Sequence, residues 1–187
     1  MSDDSAGTKG ASPKTPRRAL VIVNTGNGKG KTTAALGVLF RAWGRGYHVV
    51  MLQFIKSTTS NYGETKAAKK IGMEVVSLGG GFTWLSKDIE KDKALARELW
   101  DECKAKISSG DYDIVVLDEF TYPLTYGWLA TGEVIDFLKT RPPRTHVIIT
   151  GRDAPQELID YADLVTEMRE IKHPFQQGLK AQPGIEF

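Results

Sequence analysis

Two kinds of segment alternate along the chain: short apolar runs, and longer segments in which apolar and polar residues are mixed. The runs are rich in β-branched residues and have the length that is typical of strands buried on both faces. In the mixed segments, apolar residues recur about every three to four positions, as on a helix with one buried face. The pattern predicts strands at 19–24, 47–54, 73–78, 113–120, 145–151 and 163–171, and helices at 31–45, 63–72, 87–110, 132–142 and 154–162.

The regular order of strand and helix predicts the fold class. Strands joined by a helix run parallel as a rule, because the helix carries the chain back to the starting edge of the sheet. We therefore predict an α/β fold with a mainly parallel sheet and helices on both of its faces. The last segment, 172–187, has no clear period, and no internal repeat is evident.

The first 18 residues, MSDDSAGTKGASPKTPRR, differ in composition from the rest of the chain. They are polar and offer too little apolar area to offset the entropy of ordering, and they lack the apolar core of a signal peptide. The whole chain has 187 residues, of which 41% are apolar, and this length suits one compact domain. We predict a disordered tail at 1–18 and a single domain at 19–187.

The charge balance bears on the partners. The chain has 25 Lys and Arg against 23 Asp and Glu, and the tail holds four of the basic and two of the acidic residues, so the domain itself is neutral. A nucleic-acid-binding domain usually has a basic surplus, so no nucleic-acid partner is expected for this neutral domain.

No apolar run reaches the about 18 residues of a membrane-spanning helix, so no membrane partner is expected either. The single cysteine, Cys103, excludes an internal disulfide and favours a cytoplasmic location.

The segment TGNGKGKTT, 25–33, joins the first predicted strand to the first predicted helix. It matches the phosphate-binding motif G-x-x-x-x-G-K-[ST] at every position but the first, which is Thr25. In such a loop the backbone N–H groups of 27–32 surround phosphate oxygens, Lys31 adds a positive charge and Thr32 ligates Mg²⁺. The predicted nucleotide-binding residues are Thr25, Gly26, Asn27, Gly28, Lys29, Gly30, Lys31, Thr32 and Thr33.

Two acids, Asp118 and Glu119, end the predicted strand IVVLDE, where open α/β sheets place ligand-binding groups. Either carboxylate can hold Mg²⁺, directly or through water, and the sequence leaves open which one does so.

Nucleotide binding also leaves the reaction open. A hydrolase needs a residue that orients water at the γ-phosphate, which Glu119 could be. A small-molecule kinase needs a second substrate pocket, and an adenosyl transferase must present the 5′-carbon of ATP to a nucleophile.

Further stretches carry a resemblance to a known family. They are QFIK (53–56), GGGFTWLS (79–86), TYPLTYGWL (121–129), VIITGRDAP (147–155) and the C-terminal MREIKHPFQQGLKAQPGIEF. With the phosphate loop, they make residues 19–187 resemble the P-loop family of ATP:corrinoid adenosyltransferases, in which the loop also begins with threonine. The resemblance implies a RecA-like sheet. It implies transfer of the 5′-deoxyadenosyl group of ATP to the Co(I) centre of a corrinoid, with triphosphate leaving. Cobalamin, cobinamide and cobyrinic acid a,c-diamide stay open as the corrinoid.

The resemblance also implies partners and residue roles. It implies Mg²⁺ or Mn²⁺, a homodimer, and a separate reductase or reduced flavoprotein as electron donor. From the loop motif and the acids at the strand end, we predict Lys31, Thr32 and Glu119 as catalytic, and Thr32, Asp118 and Glu119 as metal-binding. A generic P-loop ATPase or small-molecule kinase is the alternative, and it would release ADP rather than triphosphate. A RecA-like nucleic-acid-binding module is disfavoured by the neutral domain.

Two aromatic residues, Phe82 and Trp84, match the family's pair at the lower face of the corrinoid. There they would exclude the dimethylbenzimidazole base and leave the cobalt four-coordinate and easier to reduce. Arg152, in TGRDAP, either reaches phosphates or lies on the surface.

We predict that Phe82→Ala and Trp84→Ala lower activity with cobalamin far more than with cobinamide, which has no tethered base to expel. Each ring buries up to about 150–250 Å² of apolar surface. This burial contributes at most a few kcal/mol toward the cost of breaking the Co–N bond. The assay should start from the Co(II) corrinoids with a weak reductant, and base-on cob(II)alamin should dominate the spectrum of the variants. Equal losses with both corrinoids would assign the two rings to packing.

Overall fold

The computed structural model describes residues 18–57, 62–79 and 89–185. Their elements are β1 (Val21–Thr25), α1 (Lys31–Trp43), β2 (Val49–Ser57), α2 (Gly63–Ile71), β3 (Glu74–Gly79), α3 (Ile89–Ser108), β4 (Ile114–Asp118), α4 (Thr121–Thr125), α5 (Thr131–Lys139), β5 (His146–Thr150), α6 (Gln156–Tyr161), β6 (Leu164–Glu167) and a 3₁₀ helix at Pro174–Gln177. Within these ranges, no helix is both long and apolar enough to cross a bilayer.

All six strands belong to one parallel sheet with the order β3-β2-β4-β5-β1-β6. The predicted α/β class is therefore confirmed. The strand before the phosphate loop, β1, lies next to β5, which in turn lies next to β4. Because parallel strands end at the same edge, this order brings the carboxyl ends of β1, β5 and β4 together.

Two apolar layers enclose the sheet. Helices α1 and α2 pack on one face, and α3, α5 and α6 pack on the other. Adjacent residues of β4 show the alternation, since Val115 contributes to the layer under α3 and Val116 to the layer under α1. Both side chains are fully buried. Covering on both faces explains why the central strands β2, β4, β5 and β1 are apolar runs, whereas the edge strand β6 is largely exposed.

The layer under α3 is centred on Trp100, which lies between two other aromatic rings. Its ring centroid is 5.1 Å from that of Phe120 and 5.3 Å from that of Phe137. Cys103 lies one helical turn further along α3 and is also fully buried. Burial raises the pKa of its thiol well above the usual value, so the thiol is an unreactive packing group.

The differences from the predicted elements lie mainly at element ends. The strand predicted at 113–120 stops at Asp118, because Glu119 takes a φ of 61°, a left-handed conformation that a strand does not continue. The predicted last strand, 163–171, is shorter, since β6 is an edge strand that pairs only with β1. The segment 121–129, for which no element was predicted, begins with the short helix α4.

We predict that deletion of residues 1–18 lowers Tm by less than about 5 °C. Within the described part of the tail, Arg18 forms one ion pair with Asp163, at 2.7 Å, and is 82% exposed. Such exposed pairs contribute at most about 1 kcal/mol. The contrasting variant is Asp163→Ala, which also removes the acceptor of the Val21 N–H at the start of β1 and should lower Tm further. Calorimetry on the three proteins tests this, and a larger loss for the deletion would contradict it.

Candidate nucleotide site

A cavity of about 590 Å³ opens beyond the carboxyl ends of β1, β4 and β5. It brings together residues 27–33 of the phosphate loop with Glu119, as a nucleotide site requires. Thr25, Gly26 and Asp118 are not among the residues that line it. Phe82 and Trp84 lie outside the described residues. The walls also contain residues that sequence patterns did not single out, Leu36 and the C-terminal Gly184 and Ile185.

Lys31 is the first residue of α1 and is buried under the phosphate loop. Its Nζ donates hydrogen bonds to the backbone oxygens of Gly26 and Gly28, both at 2.8 Å. Burial lowers the pKa of this ammonium group, and the nearby Arg152 guanidinium lowers it further, whereas Glu119 acts in the opposite direction. A bound anion would favour the charged form, so the site is electrostatically suited to phosphate.

The phosphate loop packs against the segment that follows β6. The Gly28 N–H donates to the Met168 oxygen at 2.6 Å, and the Met168 N–H donates to the Thr25 oxygen at 2.8 Å. A Cβ added at Gly28 would lie 2.7 Å from the backbone of Arg169. This close approach explains why position 28 is a glycine, although the motif allows any residue there. It also means that the Gly28 N–H, expected to face the phosphates, is directed to Met168 instead.

Thr25 occupies the one position where the loop departs from the motif. It is buried, and its Oγ1 accepts a hydrogen bond from the Ala154 N–H at 3.2 Å. Ala154 belongs to the loop 151–155, which joins β5 to α6. The side chain therefore connects the phosphate loop to the neighbouring loop, and a glycine here would lose that connection.

The carboxylate of Asp118 is fully buried and accepts three side-chain hydrogen bonds. Thr32 Oγ1 and Thr150 Oγ1 donate to Oδ1 at 2.9 Å and 2.7 Å, and Gln53 Nε2 donates to Oδ2 at 3.2 Å. The donors come from α1, β5 and β2. They fix the orientation of the carboxylate and tie the start of α1 to the sheet.

Glu119 faces the cavity although it is the immediate neighbour of Asp118. Its left-handed backbone costs about 1 kcal/mol or more for a residue other than glycine, and such strain is concentrated at functional sites. The turn is held by a hydrogen bond from the Glu119 N–H to Thr150 Oγ1 at 2.9 Å. Thr150 thus contacts both acids. Sequence patterns missed it, and the only available signal was a threonine at the end of an apolar run.

The oxygen atoms around Thr32 suit a divalent cation. The Thr32 hydroxyl gives its hydrogen to Asp118, so its lone pairs stay available to a metal ion. Gln53 Oε1 is buried beside Asp118 and has no hydrogen-bond partner among the described residues. In the same part of the chain, no group of three or more His, Cys, Asp or Glu side chains could hold a metal alone. A hard cation held jointly by these oxygens and by nucleotide phosphates fits this donor set.

Known proteins resemble this chain over most of its length. The family model described as ATP:corrinoid adenosyltransferase BtuR/CobO/CobP matches residues 17–187. A corrinoid adenosyltransferase of Sinorhizobium sp is 44% identical over 93% of this chain and 83% of its own. The corrinoid adenosyltransferase CobA of Salmonella typhimurium is 45% identical over 91% of this chain and 86% of its own. The structure of the flagellar accessory protein FlaH from Methanocaldococcus jannaschii shares 13% identity at a TM-score of 0.48, over 80% of this chain and 70% of that one.

We predict opposite effects for two glycine-to-alanine substitutions. Gly28→Ala should destabilise the protein by about 1–3 kcal/mol, because the new methyl group has to displace the backbone of Arg169. Gly37→Ala, in the exposed interior of α1, should stabilise it by about 0.5–1 kcal/mol, because nothing lies within 4 Å of the new methyl group. Urea denaturation measures both. Equal effects would show that the close approach at Gly28 is not tight.

Proposed function

The chain belongs to the ATP:corrinoid adenosyltransferase family, and from this premise we propose how its site carries out ATP-dependent adenosylation of a corrinoid. It is a transferase, and its substrates are ATP and a corrinoid. The observation that carries the proposal is that the phosphate loop, with Lys31 and Thr32 at the start of α1, shares one cavity with Glu119. A generic P-loop ATPase or small-molecule kinase is not favoured, because the relatives over nearly the whole chain are corrinoid adenosyltransferases.

The reaction forms a bond between cobalt and C5′ of ATP and breaks the bond between C5′ and the triphosphate oxygen. Co(I) supplies the electron pair of the new bond, and the electron pair of the broken bond leaves on the triphosphate. Because Co(I) is a strong nucleophile, no general base is required. The protein has to orient an in-line attack and to stabilise the charge on the leaving group.

The residues of the phosphate loop suit the second task. The first intrahelical bond of α1 runs from the Ala34 N–H to the Gly30 oxygen, so the N–H groups of 31–33 have no such partner. We propose that these N–H groups and the Lys31 ammonium bind the triphosphate, with Lys31 exchanging loop carbonyls for phosphate oxygens. Thr25 and Gly28 shape the loop through their contacts with Ala154 and with residues 168–169. The α-phosphate end must then face the corrinoid, the reverse of what γ-phosphoryl transfer needs.

A divalent cation, Mg²⁺ or Mn²⁺, is part of the proposal. We assign Thr32 as its direct protein ligand and Asp118 as the group that orients Thr32, because the Asp118 carboxylate already accepts three hydrogen bonds. When bound, the cation neutralises charge on the triphosphate. Glu119 lies in the cavity itself and is proposed as the second acid near the cation.

The remaining partners are proposed from the family. We propose a homodimer, which is supported by the exposed apolar side chains of Ile171 and Phe175 in the C-terminal segment. A separate reductase or reduced flavoprotein supplies the electrons that give Co(I). A cytoplasmic location is supported by the buried, unpaired Cys103. Phe82 and Trp84 keep their proposed role at the lower face of the corrinoid.

Product analysis under anaerobic conditions tests the function. Chemically reduced cobalamin and ATP should give the visible spectrum of a cobalt–carbon bond together with an equal amount of triphosphate. ADP as the product, without a change in the corrinoid spectrum, would overturn the proposal. Free phosphate beside the ADP would indicate an ATPase, and a phosphorylated small molecule would indicate a kinase.

We predict that Lys31→Ala and Thr32→Ala each lower kcat/KM for ATP by about 100- to 1000-fold and leave the affinity for the corrinoid unchanged. The reason is the loss of one preorganised contact to the triphosphate, of about 3–4 kcal/mol at the transition state. Lys139→Ala, an exposed lysine of α5 away from the cavity, is the control and should retain activity. Normal ATP kinetics with a collapse of corrinoid affinity would contradict the assignment.

A further inference from the structure

The loop 151–155 places a cation in the nucleotide cavity. Arg152 lines the cavity, and its guanidinium forms no hydrogen bond or ion pair with the described residues. It lies close enough to Lys31 to disfavour the charged form of that lysine. The basic side chains of the lining, Lys29, Lys31 and Arg152, outnumber its two acids, Glu64 and Glu119. A planar guanidinium suits the oxygens of a phosphate chain.

The backbone of this turn is hydrogen-bonded to side chains of α4. Thr121 Oγ1 donates to the Arg152 oxygen at 2.6 Å. Thr125 Oγ1 shares its one hydrogen between the Thr121 oxygen at 2.9 Å and the Asp153 oxygen at 3.2 Å. Asp153 has a φ of 50°, a left-handed conformation that persists only where the surroundings enforce it. The arginine is therefore carried by a preorganised turn rather than by a free surface loop.

Thr25 connects this turn to the phosphate loop through the hydrogen bond from the Ala154 N–H to its Oγ1. The motif glycine has no side chain and could not accept this bond. Among the described residues, the departure from the motif thus coincides with the one side-chain hydrogen bond between the start of the phosphate loop and the turn of Arg152.

We propose that Arg152 is a catalytic residue that binds the departing triphosphate, and that Thr25 is a positioning residue that holds the Arg152 turn against the phosphate loop. The proposal rests on the proposed function. When the C5′–O bond breaks, its electron pair stays on the α-phosphate oxygen, and the triphosphate gains one negative charge. A guanidinium beside this charge is attracted to the triphosphate more strongly in the transition state than in bound ATP. This difference in binding raises kcat.

Arg152→Gln and Arg152→Lys test the first half. We expect Arg152→Gln to lower kcat by about 100- to 1000-fold with cobalamin held reduced. We also expect it to weaken binding of inorganic triphosphate, measured by calorimetry, by tenfold or more. Arg152→Lys should recover only part of both. The matched control is Arg144→Gln, which makes the same charge change at an exposed site before β5, at the opposite edge of the sheet, and should change neither.

The variants Thr25→Val, Thr25→Gly and Thr25→Ser test the second half. Thr25→Val and Thr25→Gly should lower kcat and triphosphate affinity, and Thr25→Ser, which keeps the acceptor oxygen, should restore both. If Thr25 acts through the arginine, then Thr25→Val should have little further effect on kcat in an Arg152→Gln background. Full additivity of the two changes, or failure of serine to rescue, would reduce Thr25 to a packing residue.

Lys31→Ala separates failure of this inference from failure of the proposed function. Loss of triphosphate binding in Lys31→Ala, with wild-type kcat and triphosphate affinity in Arg152→Gln, would overturn the role of Arg152 and leave adenosyl transfer intact. Release of ADP and phosphate by the unmodified enzyme would overturn the proposed function itself.

Discussion

The buried carboxylate of Asp118 is the constraint on which the arrangement of the site depends. A fully buried charge has to be hydrogen-bonded, because leaving it without partners costs several kcal/mol. Here the partners are Thr32, Thr150 and Gln53, which come from α1, β5 and β2. Satisfying one carboxylate therefore fixes the start of α1, and with it the phosphate loop, relative to three strands of the sheet.

Threonine hydroxyls make most of the cross-connections around the cavity. Thr25 and Thr150 are the last residues of their strands, where a β-branched side chain packs well and has few rotamers. Each hydroxyl then joins the strand end to a neighbouring loop or acid: Thr25 to Ala154, and Thr150 to Asp118 and Glu119. A stiff side chain with a single polar atom fixes these distances at low entropic cost, which suits a site that relies on preorganisation.

The elements and the phosphate loop could be predicted from the sequence because they depend on local patterns. Apolar runs and the spacing of Gly30, Lys31 and Thr32 need no knowledge of the rest of the chain. The glycine at 28 could not be explained this way, since its reason is the approach of residues 168–169, far along the sequence. The turn at Glu119 was missed for the same reason. The hydroxyl that holds it belongs to Thr150, and no local pattern pairs these two residues.

A phosphate loop serves adenosyl transfer as readily as phosphoryl transfer, because it recognises the phosphate chain and not the reaction. In phosphoryl transfer the loop stabilises the group that moves, and in adenosyl transfer it stabilises the group that leaves. The charge that has to be held is similar, so the N–H groups and the Lys31 ammonium that we propose as triphosphate ligands suit either reaction. What differs is the direction from which the nucleophile arrives. The residues that decide the reaction therefore lie outside the motif, and under the proposed function Glu119, Tyr122 and Arg152, which line the same cavity, are the candidates.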